Sequence, residues 1–396
     1  MKKIIQLAFI IVSVSLNSQI NVSSLTSSIK GSGGLSLDKQ GNLYIGDFGD
    51  FLSAGDLDGL TNNVWKLDTD LNLTIFSGGF VGASGNDFDS NGALYQSDIG
   101  ANAVYKIVNG VRTFVTSTGI ASPVGIVFDS NDNFYVCNCG SNTIRKVTPS
   151  GVSTQFASGT GTFLCPNGIT IDEDDNLYVS NFSNGNIVKI TPSGTATILN
   201  TTPGGTTSGP SNGHLDYFQP TRTLFIASHG SNQIYKMSID NPSNLQVIAG
   251  SGVRGNTDSS NALTATFSRP NGVAVTKTGD SIYINSAVPL TNIPNNPLNP
   301  QIIRLLKGVN GGVLSVESIK PPNFDLKTYP NPVEDSFTIK VQLTITEVKI
   351  YDLKGIMVKS FKEPLSSYTI KDLSSGVYLV KAIGLQGESV KKIIKE

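Results

Sequence analysis

Between residues 30 and 307 apolar and polar positions alternate in short runs, and clusters of Asp, Asn and Gly stand between the runs. A period of two puts one face of an extended strand against a core and the other toward a neighbour or water. The pattern also recurs. The segments GGLSLDKQGNLYIGD (33–47), GNDFDSNGALYQSD (85–98), PVGIVFDSNDNFYVCN (123–138), PNGITIDEDDNLYVSN (166–181) and PNGVAVTKTGDSIYIN (270–285) align, with a divergent copy, NGHLDYFQPTRTLFIAS, at 212–228. Each has an apolar run, a turn, and a second run around an aromatic: Tyr44, Tyr95, Tyr135, Tyr178, Phe225 and Tyr283. A third run follows, as in VWKLD (64–68), TIRKVT (143–148) and QIIRLL (301–306), and in most copies a fourth, such as TIFSG or TATILN. Four antiparallel strands per unit and six units predict an all-β fold, a six-bladed β-propeller over residues 20–316.

No single sheet of this kind buries both faces, so the units stack around a channel, and the seam between last and first leaves strand edges open. The segment 20–29 can supply the missing outer strand of the sixth unit; 312–316 is the competing candidate.

The two ends read differently. Lys2 and Lys3 precede an apolar stretch, 4–16, and then Asn17, Ser18 and Gln19, which predicts a signal peptide over 1–19. That stretch falls short of the ~20 residues a membrane-spanning helix needs, and no other segment is long and apolar enough. After Pro321 and Pro322 the repeat stops, with 317–324 as a linker, and 11 lysines with no arginine follow from Asp325 onward. Within 325–396 stand YPNPV (329–333), VKIYDLKGIMV (348–358), LSSGVYLVKA (373–382) and a basic end, VKKIIK (390–395), which predict a small β-sandwich.

The P-x-G, apolar-x-apolar-D, G-N-L-Y-V-x-D and N-x-I-x-K elements resemble NHL repeats and the wider six-bladed group that includes gluconolactonases. The final segment closely resembles the type A sorting domain of the type IX secretion system. That resemblance implies export, recognition by the type IX machinery through 325–396, and an extracellular or outer-surface location.

A net charge of −1 supplies no basic footprint for nucleic acid. Export permits a disulfide among Cys137, Cys139 and Cys165: Cys165 with one of the other two, or buried free thiols. In a propeller the loops entering the innermost strands and those joining strands two and three share the ligand-binding face. The ends of the second strands bring Asp47, Asp98, Asn138, Asn181 and His229 there, and Asn167, Asn212 and Asn271 precede glycines at the innermost strands. The gluconolactonase resemblance implies a channel-mouth calcium, for which these three Asn are the candidates, although no Glu stands at the start of the first unit. The same Asn-Gly pairs also suit turns that need positive φ.

His214 and His229 are the two histidines and the candidates for a general base. Two long loops, 48–62 and 287–300, rise over the same face, and Asp50, Asp56 and Asp58 in the first are candidate calcium or sugar ligands. The run Asp87 to Gly92 reads as a hairpin turn rather than a calcium loop, because an apolar strand separates it from Asp98. Phosphate-loop, zinc-protease and nucleophile-elbow motifs are absent from the sequence. Two functions follow: an exported propeller that binds a small molecule, protein or glycan at its channel mouth, or a calcium-dependent lactonase or esterase.

Overall fold

The structure, a computed structural model, describes residues 19–26, 29–50, 61–203, 210–289, 298–309, 326–340, 345–352, 357–363, 365–384 and 387–396. Residues 1–18 of the expected signal peptide, the linker, the closing candidate 312–316, and Asp56 and Asp58 lie outside them. The chain divides into two compact units, Met1–Val313 and Leu314–Glu396. No helix among the described residues is long and apolar enough to cross a membrane.

The first unit holds six four-stranded antiparallel sheets. Their innermost strands are Leu35–Leu37, Ala83–Phe88, Pro123–Phe128, Pro166–Ile171, Leu215–Phe218 and Val273–Val275. Each touches the next and the last touches the first, so the sheets form a closed ring, a β-propeller. In the first five sheets the strands follow chain order from inside to outside. The sixth takes its outer strand from the other end of the sequence: Asn21–Ser24 pairs with Gln301–Lys307, with Asn21 opposite Lys307 and Ser24 opposite Arg304. Arg304, fully buried, fastens this seam. Its guanidinium lies 2.7 Å from Asp258, donates to the carbonyls of Thr257 and Thr266, and stacks over Phe267. Asp258 in turn accepts from the Ser24 amide and hydroxyl.

The repeated residues form one repeated device. In the third sheet Asp129 Oδ1 accepts from the amides of Asn131 and Asn133, which closes the first hairpin as an Asx turn. Its Oδ2 accepts from the Tyr135 hydroxyl, and Lys146 Nζ, 3.4 Å from that same oxygen, lies 5.1 Å from the centre of the Tyr135 ring. Asp38, Tyr44 and Lys66 repeat the arrangement in the first sheet, and Asp172, Tyr178 and Lys189 in the fourth. The turn aspartate, strand aromatic and third-strand lysine recur together because the aspartate accepts the tyrosine hydroxyl and the lysine covers the tyrosine ring.

The glycines of the innermost strands serve close approach. Strand pairing puts Gly34, Gly85, Gly125, Gly168 and Gly272 at one height, immediately before residues opposite the middle of each second strand. A Cβ on Gly125 would sit 2.5 Å from the Asn167 carbonyl oxygen, and one on Gly168 would sit 2.5 Å from the His214 Cα. The positive-φ explanation offered by the Asn-Gly pairs is therefore corrected: neighbouring backbones meet here, and glycine makes room. At the sixth position of this belt stands His214.

The second unit is a β-sandwich. A three-stranded sheet, Lys327–Tyr329, Ser336–Lys340 and Tyr368–Thr369, and a four-stranded one, Met357–Phe361, Ile345–Tyr351, Gly376–Gly384 and Gly387–Lys395, share a core that includes Val333, Phe337, Val348, Tyr368 and Val380.

Candidate functional site

The mouth of the ring is built from two sets of equivalent positions. Ser84, Val124, Asn167 and Asn271 come from the beginnings of innermost strands, and Phe48, Ile99, Cys139, Phe182 and His229 from just beyond the second strands. With Ser32, Cys165, Ser183, Arg269, Leu298 and Gln301 they line a cavity of about 300 Å³, within the range of small-molecule sites.

The sequence pattern points one residue too early along the second strand. Asp47, Asp98, Asn138 and Asn181 are buried and hold loops. Asp98 accepts from the amides of Val81, Gly82 and Ala101. Asn138 donates to the Gly119 carbonyl, Asn181 to the Thr162 carbonyl, and Asp47 accepts from the Gly49 amide and the Asn299 side chain. The next residue in each case faces the cavity. His229 occupies this later position, so strand alternation, counted from the aromatic, is the signal that identifies it.

A second device positions the wall. Asn102, Asn142 and Asn232 sit in the left-handed region, and each side-chain oxygen accepts from the backbone amide of Ser122, Cys165 or Arg269, the residue before a proline in the following sheet. Arg269 is thereby held in a left-handed conformation at φ 48° beside the cavity. Cys165 pairs with Cys139, which staples the third sheet to the loop leading into the fourth, and Cys137 remains a buried thiol.

His229 is 3% exposed, packs edge-on against Phe182 with ring centres 5.6 Å apart, and among the described residues has no hydrogen-bond partner on either ring nitrogen. Burial, reinforced by Arg269 and Arg254, pushes its pKa down to about 3, so the imidazole is neutral at ordinary pH. Arg254 donates Nε–H to the Ser268 hydroxyl. Burial holds both guanidinium groups below the usual arginine range, and Arg254 depresses Arg269 further.

The three asparagines do not act together. Asn167 and Asn271 line the cavity, where their amide nitrogens donate to the carbonyls of Asn212 and Ser32. Asn212 is turned away. Its amide donates to the Gly185 carbonyl and its oxygen accepts from the Thr202 hydroxyl. A hard divalent cation prefers six to eight oxygens with carboxylates among them. The described lining offers amides and hydroxyls, contains no carboxylate, and includes an arginine. This donor set does not fit calcium.

Nor do the two histidines share a site. His214 lines a separate chamber of about 180 Å³ further along the channel, with Asn86, Asp87, Thr170 and Asp216. It projects from the fifth sheet past the sixth to the first, where its Cε1 lies 3.0 Å from the Cβ position of Gly34. Among the described residues its Nε2 has no hydrogen-bond partner, and burial pushes its pKa down to about 4. Asp87, read from the sequence as part of a turn, instead belongs to the innermost strand Ala83–Phe88. It accepts from the Phe128 amide, and Asp216 accepts from those of Tyr217 and Val275. Burial raises Asp87 to about 7 and Asp216 to about 6. Their remaining exposed surface opens onto the chamber.

With this geometry established, comparison with known proteins separates the two units. Residues 327–396 match the secretion system C-terminal sorting domain. The chain carries a type IX export signal. No curated protein sequence matches the chain. Solved structures resemble it in fold. A gluconolactonase from Xanthomonas campestris is 13% identical with a TM-score of 0.52, over 74% of this chain and 92% of that one. A protein of unknown function from Bacteroides thetaiotaomicron is 14% identical with a TM-score of 0.53, over 73% and 76%. Virginiamycin B lyase from Staphylococcus aureus is 16% identical with a TM-score of 0.47, over 72% and 98%. At these identities the likeness is one of architecture.

Proposed function

We propose that this chain is an exported binding protein. Residues 1–19 direct it across the inner membrane, the sorting domain passes it to the type IX machinery, and the propeller takes up a small organic ligand at its channel mouth. The observation that carries the binding role is the mouth cavity of about 300 Å³ with His229 on its wall, buried and, among the described residues, unpartnered at both ring nitrogens. A buried polar group without a partner costs about 1–3 kcal/mol, and a ligand that bonds it recovers part of that cost.

The test compares the secreted protein with a Ser183→Trp variant, whose indole would fill the mouth without touching the glycine belt. Native mass spectrometry of wild type recovered from its producing cells is expected to show a non-covalent adduct of small mass. The variant, with an unchanged melting temperature, is expected to lack it. The same spectrum from both proteins, with or without an adduct, refutes the binding role at this face.

A further inference from the structure

We infer that the ligand of the mouth cavity is an organic anion, a small carboxylate with an apolar or ring-bearing body, held at the His229 and Arg269 side. The inference rests on the proposed binding role and adds the chemistry of what is bound. Three observations on different residues carry it.

The first is charge. The described lining contains Arg269 and no Asp or Glu, and Arg254 reaches the hydroxyl of Ser268, the residue before Arg269. Among the described residues the one hydrogen bond of the Arg254 side chain is to a neutral hydroxyl, that of Ser268. Arg254, whose described partner is neutral, and Arg269 on the wall favour a carboxylate entering the cavity over a cation.

The second is the hydrogen-bonding inventory. A neutral imidazole has one N–H donor and one acceptor nitrogen, and on His229 both are unmatched among the described residues. The N–H suits a carboxylate oxygen, and the second nitrogen suits a hydroxyl or N–H elsewhere on the ligand. Phe182 packs edge-on against the imidazole.

The third is the apolar part of the lining. Phe48, Ile99, Val124 and Leu298 supply it, which favours a hydrocarbon body over a bare inorganic anion. At the packing density of protein interiors, a cavity of about 300 Å³ accommodates on the order of a dozen non-hydrogen atoms.

The experiment pairs acids with their uncharged analogues: phenylacetate with phenylacetamide, 3-phenylpropanoate with its amide, and cyclohexylacetate with its amide. Binding to the full chain is measured by isothermal titration calorimetry. Because the chain has two histidines, histidine-selective ¹⁵N labelling resolves each imidazole, and His229→Phe assigns them. The expected result is at least tenfold tighter binding of an acid than of its amide. The His229 signals should shift, the His214 signals should stay fixed, and the preference should be lost in both Arg254→Gln and Arg269→Gln. An amide that binds as tightly as its acid, or a preference that survives both arginine variants, overturns the anion inference and leaves the cavity reading in place. If no acid or amide binds and the His229 signals stay fixed, both readings fall.

Discussion

The strongest energetic statement in the structure concerns Asp87. Its carboxyl belongs to an innermost strand and opens onto a polar chamber, where burial raises its pKa from 3.8 to about 7. In the unfolded chain it ionises near 3.8; in the folded chain it keeps its proton until about pH 7. Between those values the folded state binds the extra proton, so this group's contribution to stability is complete below pH 3.8 and falls as pH rises to about 7. Each tenfold change in proton affinity is worth 1.36 kcal/mol, so the cost above pH 7 has a ceiling of about 4 kcal/mol. Water in the chamber would lower it toward about 2 kcal/mol.

Asp87→Asn keeps the shape and the acceptor for the Phe128 amide but cannot ionise. It should match wild type near pH 4 and be more stable by about 2–4 kcal/mol at pH 8. His214 and His229 have depressed proton affinities and contribute the opposite trend, with stability rising from about pH 3–4 toward 6.5. Asp216, raised to about 6 in the same chamber, adds to the fall in wild type, and the difference between the two curves reports Asp87 together with its coupling to Asp216. The assay is urea unfolding of the full chain followed by tryptophan fluorescence, since the single tryptophan, Trp65, reports on the propeller alone. A difference that does not change with pH would show that Asp87 is ionised in the folded chain, and the burial argument would be refuted.

Replacing Cys139 and Cys165 by serine should cost about 3 kcal/mol by freeing the loop that the bond closes, read as a lower propeller melting temperature; an unchanged value would mean that the bond does not constrain the unfolded chain. Gly125→Ala puts a methyl group 2.5 Å from a backbone oxygen of the next sheet and should cost at least about 1–3 kcal/mol, measured by the same unfolding assay. Gly92→Ala, which meets nothing within 4 Å but has φ +81°, should cost only about 1–2 kcal/mol, and equal losses would discredit the close-approach account. The calcium-dependent hydrolase reading is tested by pH-stat titration of lactones and esters with calcium and with chelator. The mouth wall predicts no chelator-sensitive turnover and no calcium-dependent rise in melting temperature, and either one would overturn that expectation.

Much of the propeller was legible because its instructions are local and repeated. A period of two, an Asp-led turn, an aromatic and a lysine specify a hairpin plus a third strand within about 35 residues of chain, and each copy corroborates the others. The sandwich and its sorting motifs were legible for the same reason.

The candidate site was legible only as a face. Its residues come from separate sheets and meet by height in the ring, and height depends on strand register, where a slip of one residue moves a side chain to the other face. Aligning the fifth copy on its Asn-Gly pair equates Asn212 with Asn167, but pairing of Leu215 with Ile226 and of Ile169 with Val179 puts His214 level with Gly168. That single offset turns Asn212 into a loop tie and seats His214 in the glycine belt. A similar offset separates the loop-holding Asp98 and Asn138 from the cavity-facing residues that follow them.

Sequence alone determined the strand content, the hairpin chemistry, the repeat and the sorting domain, because each depends on neighbours along the chain. Tertiary structure alone decided that Asn21–Ser24 closes the ring, that Cys139 rather than Cys137 pairs with Cys165, and that Asp87 and His214 share one chamber while His229 and Arg269 share another. Those outcomes join residues as far apart as the two ends of the propeller. They are set by which backbones approach closely enough to exclude a side chain, a property of the assembled ring that no local pattern encodes.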